Sequence, residues 1–184
     1  MNPLERALES IVRFLDGDSV PYMVIGGIAG LVWGVRRATF DVDVTVWAAG
    51  REEAVVRGLC AAFQSRAQDP AGFVRNTGVL PLTVGGVPVD VVFGRLPYEE
   101  AAVKRARKTD LGTFAANVCS PEDLILHKIV SERTKDLEDV RELARLRADS
   151  LDRAYLEPRV RSLAAELGLP AIWETYASLF SEDR

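Results

Sequence analysis

Residues 41–47 read D-V-D-V-T-V-W, and polar and apolar side chains alternate along the stretch. This alternation predicts a β-strand with Asp41 and Asp43 on one face and the valines on the other. Aspartate is unfavourable in strands, and two like charges on one face repel each other. A divalent cation would compensate them, because hard ions such as Mg²⁺ bind carboxylate oxygens. The alternative is an edge strand with a solvated acidic face.

Two adjacent glycines precede this strand. Gly26 and Gly27 stand between an apolar run over 22–25, which predicts a strand, and a predicted helix over 28–35. Glycine lets a phosphate approach the backbone, and a helix N-terminus adds N–H groups and positive potential. The pair therefore indicates a phosphate site, with a simple turn as the alternative.

A third aspartate lies inside another apolar segment. Asp90 interrupts residues 87–93, V-P-V-D-V-V-F, which predict a further strand. A lone charge in such a segment is costly unless it is paired or metal-bound, so a salt bridge is the alternative to a metal site. Three aspartates on neighbouring strands would be able to hold two metal ions that act on a phosphoryl group.

Apolar spacing and turn residues predict the remaining elements. Helices are expected over 1–16, 51–67 and 97–108. One or two strands are expected within 72–84 and another over 113–118, with Gly85 and Gly86 as a hairpin turn. Ser120 is expected to cap the first of three or four C-terminal helices, over 121–132, 135–147, 152–166 and 170–181. The predicted fold class is α+β, with a mixed sheet in an α/β core of residues 1–118 and a helical region of residues 119–184 packed on it.

The composition excludes several classes of protein. The chain has 184 residues, 48% hydrophobic and 27% charged, which excludes long disorder. A single histidine, His127, excludes a His-rich zinc site, and Cys60 and Cys119 indicate free thiols of a cytoplasmic protein. No apolar run suits a membrane span or a signal peptide. The net charge of −4 disfavours binding of long nucleic acid by bulk electrostatics.

Two motifs carry a family resemblance, which extends over roughly residues 22–145. The first is G26-G27-x9-R37-x-T39-x-D41-x-D43 with Asp90 on a later strand, and it resembles the nucleotidyltransferases of the DNA polymerase β superfamily. The second comprises residues 121–128, P-E-D-L-I-L-H-K, and residues 133–140, R-T-K-D-L-E-D-V. It is similar to the lysine motif and the K-D-x-x-D motif of AbiEii-like (MenT-like) nucleotidyltransferases.

The resemblance implies a nucleotidyltransferase fold, in which helices flank a mixed twisted sheet and a C-terminal helical region follows. It also implies Mg²⁺-dependent or Mn²⁺-dependent transfer of a nucleoside monophosphate from an NTP to an acceptor hydroxyl. The acceptor stays open between an RNA 3′ end such as that of tRNA, a protein and a small molecule. A toxin–antitoxin or defence system, with a cognate antitoxin or regulator as partner, fits the same family. The alternative is a non-catalytic interaction module with this fold.

The family pattern also implies roles for individual residues. Metal binding falls to Asp41, Asp43 and Asp90, with Asp90 as general base, and phosphate contact to Gly26, Gly27 and Lys128. Nucleotide binding further involves Arg37, Thr39 and Asp139, and Asp136 is the other acid of the closing motif. Position 27 departs from the Gly-Ser of related families, so one hydroxyl contact is missing.

Two of these residues also have a plain physical interpretation. Lys128 stands among apolar residues, where an ammonium is a point charge available to a phosphate or a carboxylate; a lysine that extends to the surface is the alternative. Asp136 is near the predicted start of a helix, where an acid stabilises the helix dipole.

Overall fold

The computed structural model describes residues 1–131 and 133–180, and within them the chain forms nine helices and seven strands. The helices are α1 (Pro3–Gly17), α2 (Gly26–Val32), α3 (Glu52–Ala62), α4 (Pro70–Thr77), α5 (Pro97–Arg105), α6 (Pro121–Ile129), α7 (Thr134–Arg147), α8 (Arg153–Leu167) and α9 (Ala171–Leu179). The strands are β1 (Tyr22–Val24), β2 (Val42–Val46), β3 (Gln64–Ser65), β4 (Val79–Val84), β5 (Val87–Phe93), β6 (Arg107–Asp110) and β7 (Ala115–Val118). The helices predicted to end at residues 132 and 181 end earlier, at Ile129 and Leu179, and residues 132 and 181 themselves lie outside the described residues.

The strands form one mixed sheet in the order β3-β4-β5-β2-β1-β7-β6. β2 is parallel to β5 and β1 is parallel to β7, whereas all other neighbours are antiparallel. The valines of β2 and the inward-facing apolar residues of β5 are buried, and helix α1 contacts both strands. The predicted α+β class with a mixed sheet is therefore confirmed, and this sheet carries the aspartates.

Of the one or two strands predicted within 72–84, β4 is present, whereas residues 72–77 belong to helix α4, which was not predicted. Asp69 caps this helix by accepting a hydrogen bond of 2.9 Å from the Gly72 N–H. Pro70 occupies the first turn, and Gly78 ends the helix with a φ of 75°. An N-cap acid, a first-turn proline and a left-handed terminal glycine are the usual boundaries of a helix, so the signal was present in the sequence.

The helix predicted over 28–35 is α2, which begins at Gly26 and ends at Val32. Two other predicted helices give way to strands. The helix predicted over 51–67 ends at Ala62, because Phe63 adopts an extended backbone conformation. The Phe63 ring packs on that of Phe14, with ring centroids 5.9 Å apart. Residues 64 and 65 then pair with β4. The helix predicted over 97–108 ends at Arg105, and residues 107–110 form the edge strand β6 beside β7. In both places sheet pairing outweighs local helix propensity.

The described chain forms two compact units. The first comprises Met1–Ala29 and Ala38–Cys119 and contains the whole sheet. The second comprises Gly30–Arg37 and the described residues from Ser120 onward. The predicted domain boundaries, 1–118 and 119–184, stay a prediction.

Within the second unit, α6 contacts α7, α8 and α9 and is buried along almost its whole length. Ser120 caps α6 as predicted, since its hydroxyl accepts a hydrogen bond of 3.1 Å from the Asp123 N–H. No helix in the described part of the chain is long and apolar enough to cross a membrane.

Candidate active site

Two carboxylates lie side by side in the middle of the sheet. β2 and β5 run parallel with Asp43 directly opposite Asp90, flanked by the buried pairs Val42–Val89 and Val44–Val91. Paired positions on neighbouring strands point to the same face, with strands about 5 Å apart. The expectation that these two aspartates lie on neighbouring strands is confirmed. Their proximity is unfavourable unless cations balance their charge.

Asp41 lies immediately before β2 and is exposed. The Thr39 hydroxyl donates a hydrogen bond of 2.7 Å to Asp41 Oδ1 and so fixes the orientation of this carboxylate. The lead-in T39-x-D41-x-D43 is therefore a connected structural unit, in which the hydroxyl supports the first acid.

The glycine pair packs against the same aspartate strand. Gly26 has a φ of +65°, and a Cβ on it would meet Asp43 Oδ2 at 2.1 Å. A Cβ on Gly27 would meet Thr39 Oγ1 at 2.4 Å. Both positions require glycine, because the side chains of Asp43 and Thr39 occupy the space of a Cβ. Phosphate contact by these glycines stays a prediction.

Asp90 has a partner that the sequence did not reveal. Arg66 Nη2 donates to Asp90 Oδ1, and Arg66 Nε donates to the Leu82 carbonyl at 3.1 Å. The Arg66 backbone N–H bonds to the carbonyl of Pro81, and Pro81 is the register partner of Asp90 on β5. Arg66, Pro81 and Asp90 thus form a row across the sheet. This row brings together Arg66 and Asp90, which are 24 residues apart in the chain. The salt bridge considered as an alternative for Asp90 is present.

The grouping of acids bears directly on metal binding. The described residues contain no group of three or more His, Cys, Asp or Glu side chains placed to hold a metal ion. The carboxylates of Asp41, Asp43 and Asp90 suit Mg²⁺ in chemistry. However, they do not converge, and one oxygen of Asp90 accepts from Arg66. A three-carboxylate metal site does not fit this arrangement as it stands, and metal binding by these residues stays a prediction.

A buried ion-pair network occupies the second unit. The Lys128 ammonium donates hydrogen bonds of 2.8 Å to Asp136 Oδ1 and of 2.8 Å to Asp139 Oδ2. The three side chains are 7%, 3% and 6% exposed. Lys128 therefore does not extend to the surface; its ammonium is held by two carboxylates, one of the two partners that its apolar setting indicated. Phosphate contact by Lys128 stays a prediction.

Arg37 joins the network from its outer side. Arg37 Nε lies 3.1 Å from Asp139 Oδ1, so the two oxygens of Asp139 contact two different cations. The Arg37 side chain is 36% exposed, much more than that of Lys128. Arg37 is thus the more solvent-accessible of the two cations that contact Asp139. The accessible part of its side chain is able to bind a further anion.

Asp136 is strongly perturbed by its surroundings. Burial raises its pKa, but hydrogen bonds from Lys128 and Ser131 and the nearby charges outweigh burial and lower the pKa to about 2. Arg133 Nε adds a contact of 2.6 Å. Asp136 lies in the first turn of α7 as expected, but its carboxylate is a buried partner of Lys128 as well as an acid near a helix start.

The candidate residues thus fall into two groups. The first unit holds Gly26, Gly27, Thr39, Asp41, Asp43 and Asp90, and the second holds Arg37, Lys128, Asp136 and Asp139. Arg66, which was not among the predicted site residues, joins the first group through its salt bridge with Asp90.

The chain matches one family model and several known folds. The model described as a nucleotidyltransferase of unknown function (DUF6036) matches residues 4–166. The antibiotic-resistance factor ANT(2'')-Ia has a similar fold, with a TM-score of 0.56, 16% identity, and coverage of 94% of this chain and 92% of that one. No functionally curated protein matches the chain.

Two further solved structures share the fold. The lincosamide antibiotic adenylyltransferase LnuA, bound to lincomycin, has a TM-score of 0.54, 15% identity, and coverage of 77% of this chain and 97% of that one. A nucleotidyltransferase-like protein from Paracoccidioides brasiliensis has a TM-score of 0.53, 16% identity, and coverage of 94% and 92%. These similarities show the fold.

Proposed function

Because the chain belongs to the DUF6036 family of nucleotidyltransferases, we propose that it transfers a nucleoside monophosphate from an NTP to an acceptor hydroxyl. The observation that carries this proposal is the register pairing of Asp43 with Asp90 beside Gly26. Two carboxylates on one face, next to a glycine backbone, suit the binding of a cation-neutralised triphosphate.

The reaction forms a bond between the acceptor oxygen and the α-phosphorus and breaks the bond between the α-phosphorus and the α,β-bridging oxygen. Asp90, half-exposed on β5, takes the proton of the acceptor hydroxyl, and pyrophosphate leaves with the electron pair of the broken bond. Catalysis then consists of positioning and charge neutralisation.

In the first unit, the proposed nucleotide contacts come from the glycine pair and the supported acids. Gly26 and Gly27 present backbone to the phosphates, and Thr39 holds Asp41 for its role beside Asp43. In the second unit, taken by itself, Arg37 is an accessible cation that Asp139 holds, and Lys128 in turn holds Asp139. The geometry thus supports an indirect contribution from Lys128 to binding.

Mg²⁺, or Mn²⁺ in its place, is the proposed cofactor. A bound divalent ion supplies neutralisation of triphosphate charge. The candidate ligands are Asp41, Asp43 and Asp90, whose oxygens suit hard cations, although as described they do not converge on one ion.

A small-molecule hydroxyl is the proposed acceptor. The solved folds that match this chain over nearly their whole length include an antibiotic-resistance factor and a lincosamide adenylyltransferase. Another structure of ANT(2'')-Ia contains adenylyl-2''-tobramycin. The net charge of −4 also disfavours a large RNA footprint. AbiEii-like membership and an antitoxin partner rest on the lysine and closing motifs alone.

Label transfer tests the proposal. Wild-type protein is incubated with each α-³²P-labelled NTP, Mg²⁺ or Mn²⁺, and separate pools of aminoglycosides and lincosamides, total tRNA, or protein lysate. We expect label in the small-molecule pool, and a loss of at least about 100-fold in Asp43→Asn. Asp149→Asn, on the exposed turn after α7, is the matched control and retains transfer.

Other outcomes revise the proposal in defined ways. Label in tRNA or protein would replace the acceptor and leave the reaction intact. If no pool is labelled and calorimetry detects no binding of ATP, CTP, GTP or UTP, the non-catalytic interaction module is the better description.

A further inference from the structure

Helices α7 and α9 border a cavity of about 420 Å³ that lies wholly within the second unit. Two arginines of α7, Arg141 and Arg145, line the cavity together with Leu179 and Phe180 at the end of α9. We propose that this cavity binds a phosphate monoester whose organic part is small and apolar. The inference is independent of the proposed transferase reaction, because none of these residues belongs to the candidate active site.

The two arginines carry charges that the described protein leaves unbalanced. Residues four apart on a helix are neighbours on its surface, and two like charges at this spacing repel each other. Neither the Arg141 nor the Arg145 side chain forms a hydrogen bond or an ion pair within residues 1–131 and 133–180. Glu138 and Glu142 stand three residues before the two arginines and still form no ion pair with them. An anion bound by both guanidinium groups would remove the repulsion.

The helix dipole accounts for only one of these charges. Arg145 lies in the last turn of α7, where a cation interacts favourably with the helix C-terminus. Arg141 lies more than one turn earlier, beyond the range of that effect. The position of Arg141 beside Arg145 in the wall of a cavity therefore points to an anionic ligand.

The apolar part of the cavity is held in place by aromatic contacts. The ring centroids of Phe180 and Tyr176 are 5.1 Å apart, and the Arg153 guanidinium lies 4.5 Å from the centroid of Phe180. Tyr176 is itself buried. Ala144 and Ala148 also line the cavity, and their small side chains leave its volume free. A ligand therefore meets a preformed apolar wall, which lowers the entropic cost of binding.

The chemistry of the lining defines the class of ligand. Ligand sites typically combine apolar walls with a few polar groups in a volume of roughly 300–1,000 Å³. Two guanidinium groups match the charge of a phosphate monoester, which is close to −2 near pH 7, and arginine binds phosphate through paired hydrogen bonds. Ser178, the third polar residue of the lining, donates to the Thr175 carbonyl at 2.7 Å. The arginines are therefore the groups that bind the anion, while Leu179 and Phe180 contact the organic part.

NMR titration of the full chain with phenyl phosphate tests the inference. Selective ¹⁵N labelling of arginine reports the side-chain Nε–H groups, and the Arg141 and Arg145 signals are assigned by their loss in glutamine variants. We expect both signals to shift in the wild type, and the affinity to fall about fivefold in Arg141→Gln and in Arg145→Gln. Inorganic phosphate lacks the apolar group and phenol lacks the charge, so each should bind at least about fivefold more weakly.

Matched variants separate the cavity from net charge and from folding. Arg57→Gln removes an equal charge on α3, where Arg57 pairs with Glu53 across 3.7 Å, and should leave the affinity for phenyl phosphate unchanged. Leu179→Ala should weaken the binding of phenyl phosphate but not of inorganic phosphate, because it removes only apolar surface. Arg141→Lys and Arg145→Lys keep the charge but not the guanidinium geometry, and affinities between those of wild type and the glutamine variants are expected. They replace any glutamine variant that fails to give the circular dichroism spectrum of the wild type.

Three results would overturn the inference. If phenyl phosphate shifts neither arginine signal, the cavity does not bind this class of ligand. Equal losses of affinity in Arg57→Gln and Arg141→Gln would reveal attraction by net charge alone. Equal affinities for phenyl phosphate and inorganic phosphate would show that the apolar wall takes no part. Each of these results leaves the proposed transferase reaction standing, since label transfer tests that reaction separately.

Discussion

Lys128 donates a hydrogen bond of 2.8 Å to Asp136, and both side chains are more than nine-tenths buried. A charged pair this deep is costly to separate, since removal of one partner leaves an uncompensated charge in a low-dielectric interior. The pair therefore constrains the second unit whatever its role in nucleotide binding, and it determines how stability responds to acid.

Asp136→Asn should flatten the acid limb of the stability curve. The pKa of Asp136 in the folded protein is about 2, below the ordinary 3.8, so its stabilisation is complete above pH 3.8 and is lost as pH falls towards 2. This corresponds to about 2 kcal/mol of unfolding free energy. Urea denaturation from pH 7 to pH 2.5 measures the difference, with Asp149→Asn as control. Parallel acid limbs for wild type and Asp136→Asn would contradict the assignment.

Arg37→Gln should weaken nucleotide binding without unfolding the protein. Arg37 is the more exposed cation on Asp139, and its accessible guanidinium is proposed to contact phosphate. A lost hydrogen bond to a charged group costs roughly 1.5–3 kcal/mol, which predicts a KM for NTP raised at least about tenfold. Steady-state kinetics and a thermal melt measure both effects. The conservative Arg37→Lys variant should recover part of the affinity, and an unchanged KM in Arg37→Gln would refute the role.

Gly26→Ala should lower the rate of transfer roughly 100-fold and also destabilise the fold. The new Cβ would lie 2.1 Å from Asp43 Oδ2, so the carboxylate must move. Displacement of a reactive group by about 1 Å costs roughly 100-fold in rate. Gly85→Ala is the matched control, because Gly85 also has a positive φ, +56°, but a Cβ there would meet no other residue within 4 Å beyond its chain neighbours. Both variants should lose about 1 kcal/mol of unfolding free energy from backbone strain. Gly26→Ala should lose more than Gly85→Ala, because its Cβ also displaces Asp43. Equal activities would show that Asp43 is not the affected group.

Tyr155→Phe should destabilise the helical unit. The Tyr155 hydroxyl donates a hydrogen bond of 2.6 Å to Asp123 Oδ1, and Asp123 is fully buried. Loss of a hydrogen bond to a buried charge costs about 1.5–3 kcal/mol. Urea denaturation at pH 7 measures this loss, and an unchanged midpoint would show that the phenol does not support Asp123.

The strands and acids of the sheet were predictable because their signals are local. Alternation alone predicted that Asp43 and the valines of β2 lie on opposite faces of the strand. The apolar run around Asp90 predicted the strand β5. The approach of Gly26 to Asp43 was not predicted, because it depends on the pairing of β1 with β2.

The errors arose where partners distant in sequence decide the structure. Residues 107–110 form a strand because they pair with β7. Arg66 contacts Asp90 because the pairing of β4 with β5 brings the two residues close together across the sheet. Helix α4 is a different case, since Asp69, Pro70 and Gly78 marked its boundaries locally. The burial of Lys128 between two acids required the fold, although its apolar neighbours indicated an anionic partner.

Both edge strands of the sheet are poorly suited to pairing with a strand of another polypeptide. One edge strand is β3, which has only two residues. The other is β6, whose four residues include Arg107, Lys108 and Asp110. Short or charged edge strands resist the addition of a strand from a second molecule. Binding of another protein by strand addition to this sheet is therefore unfavourable, and a designed inhibitor that relied on pairing an extended peptide with either end of the sheet would bind poorly.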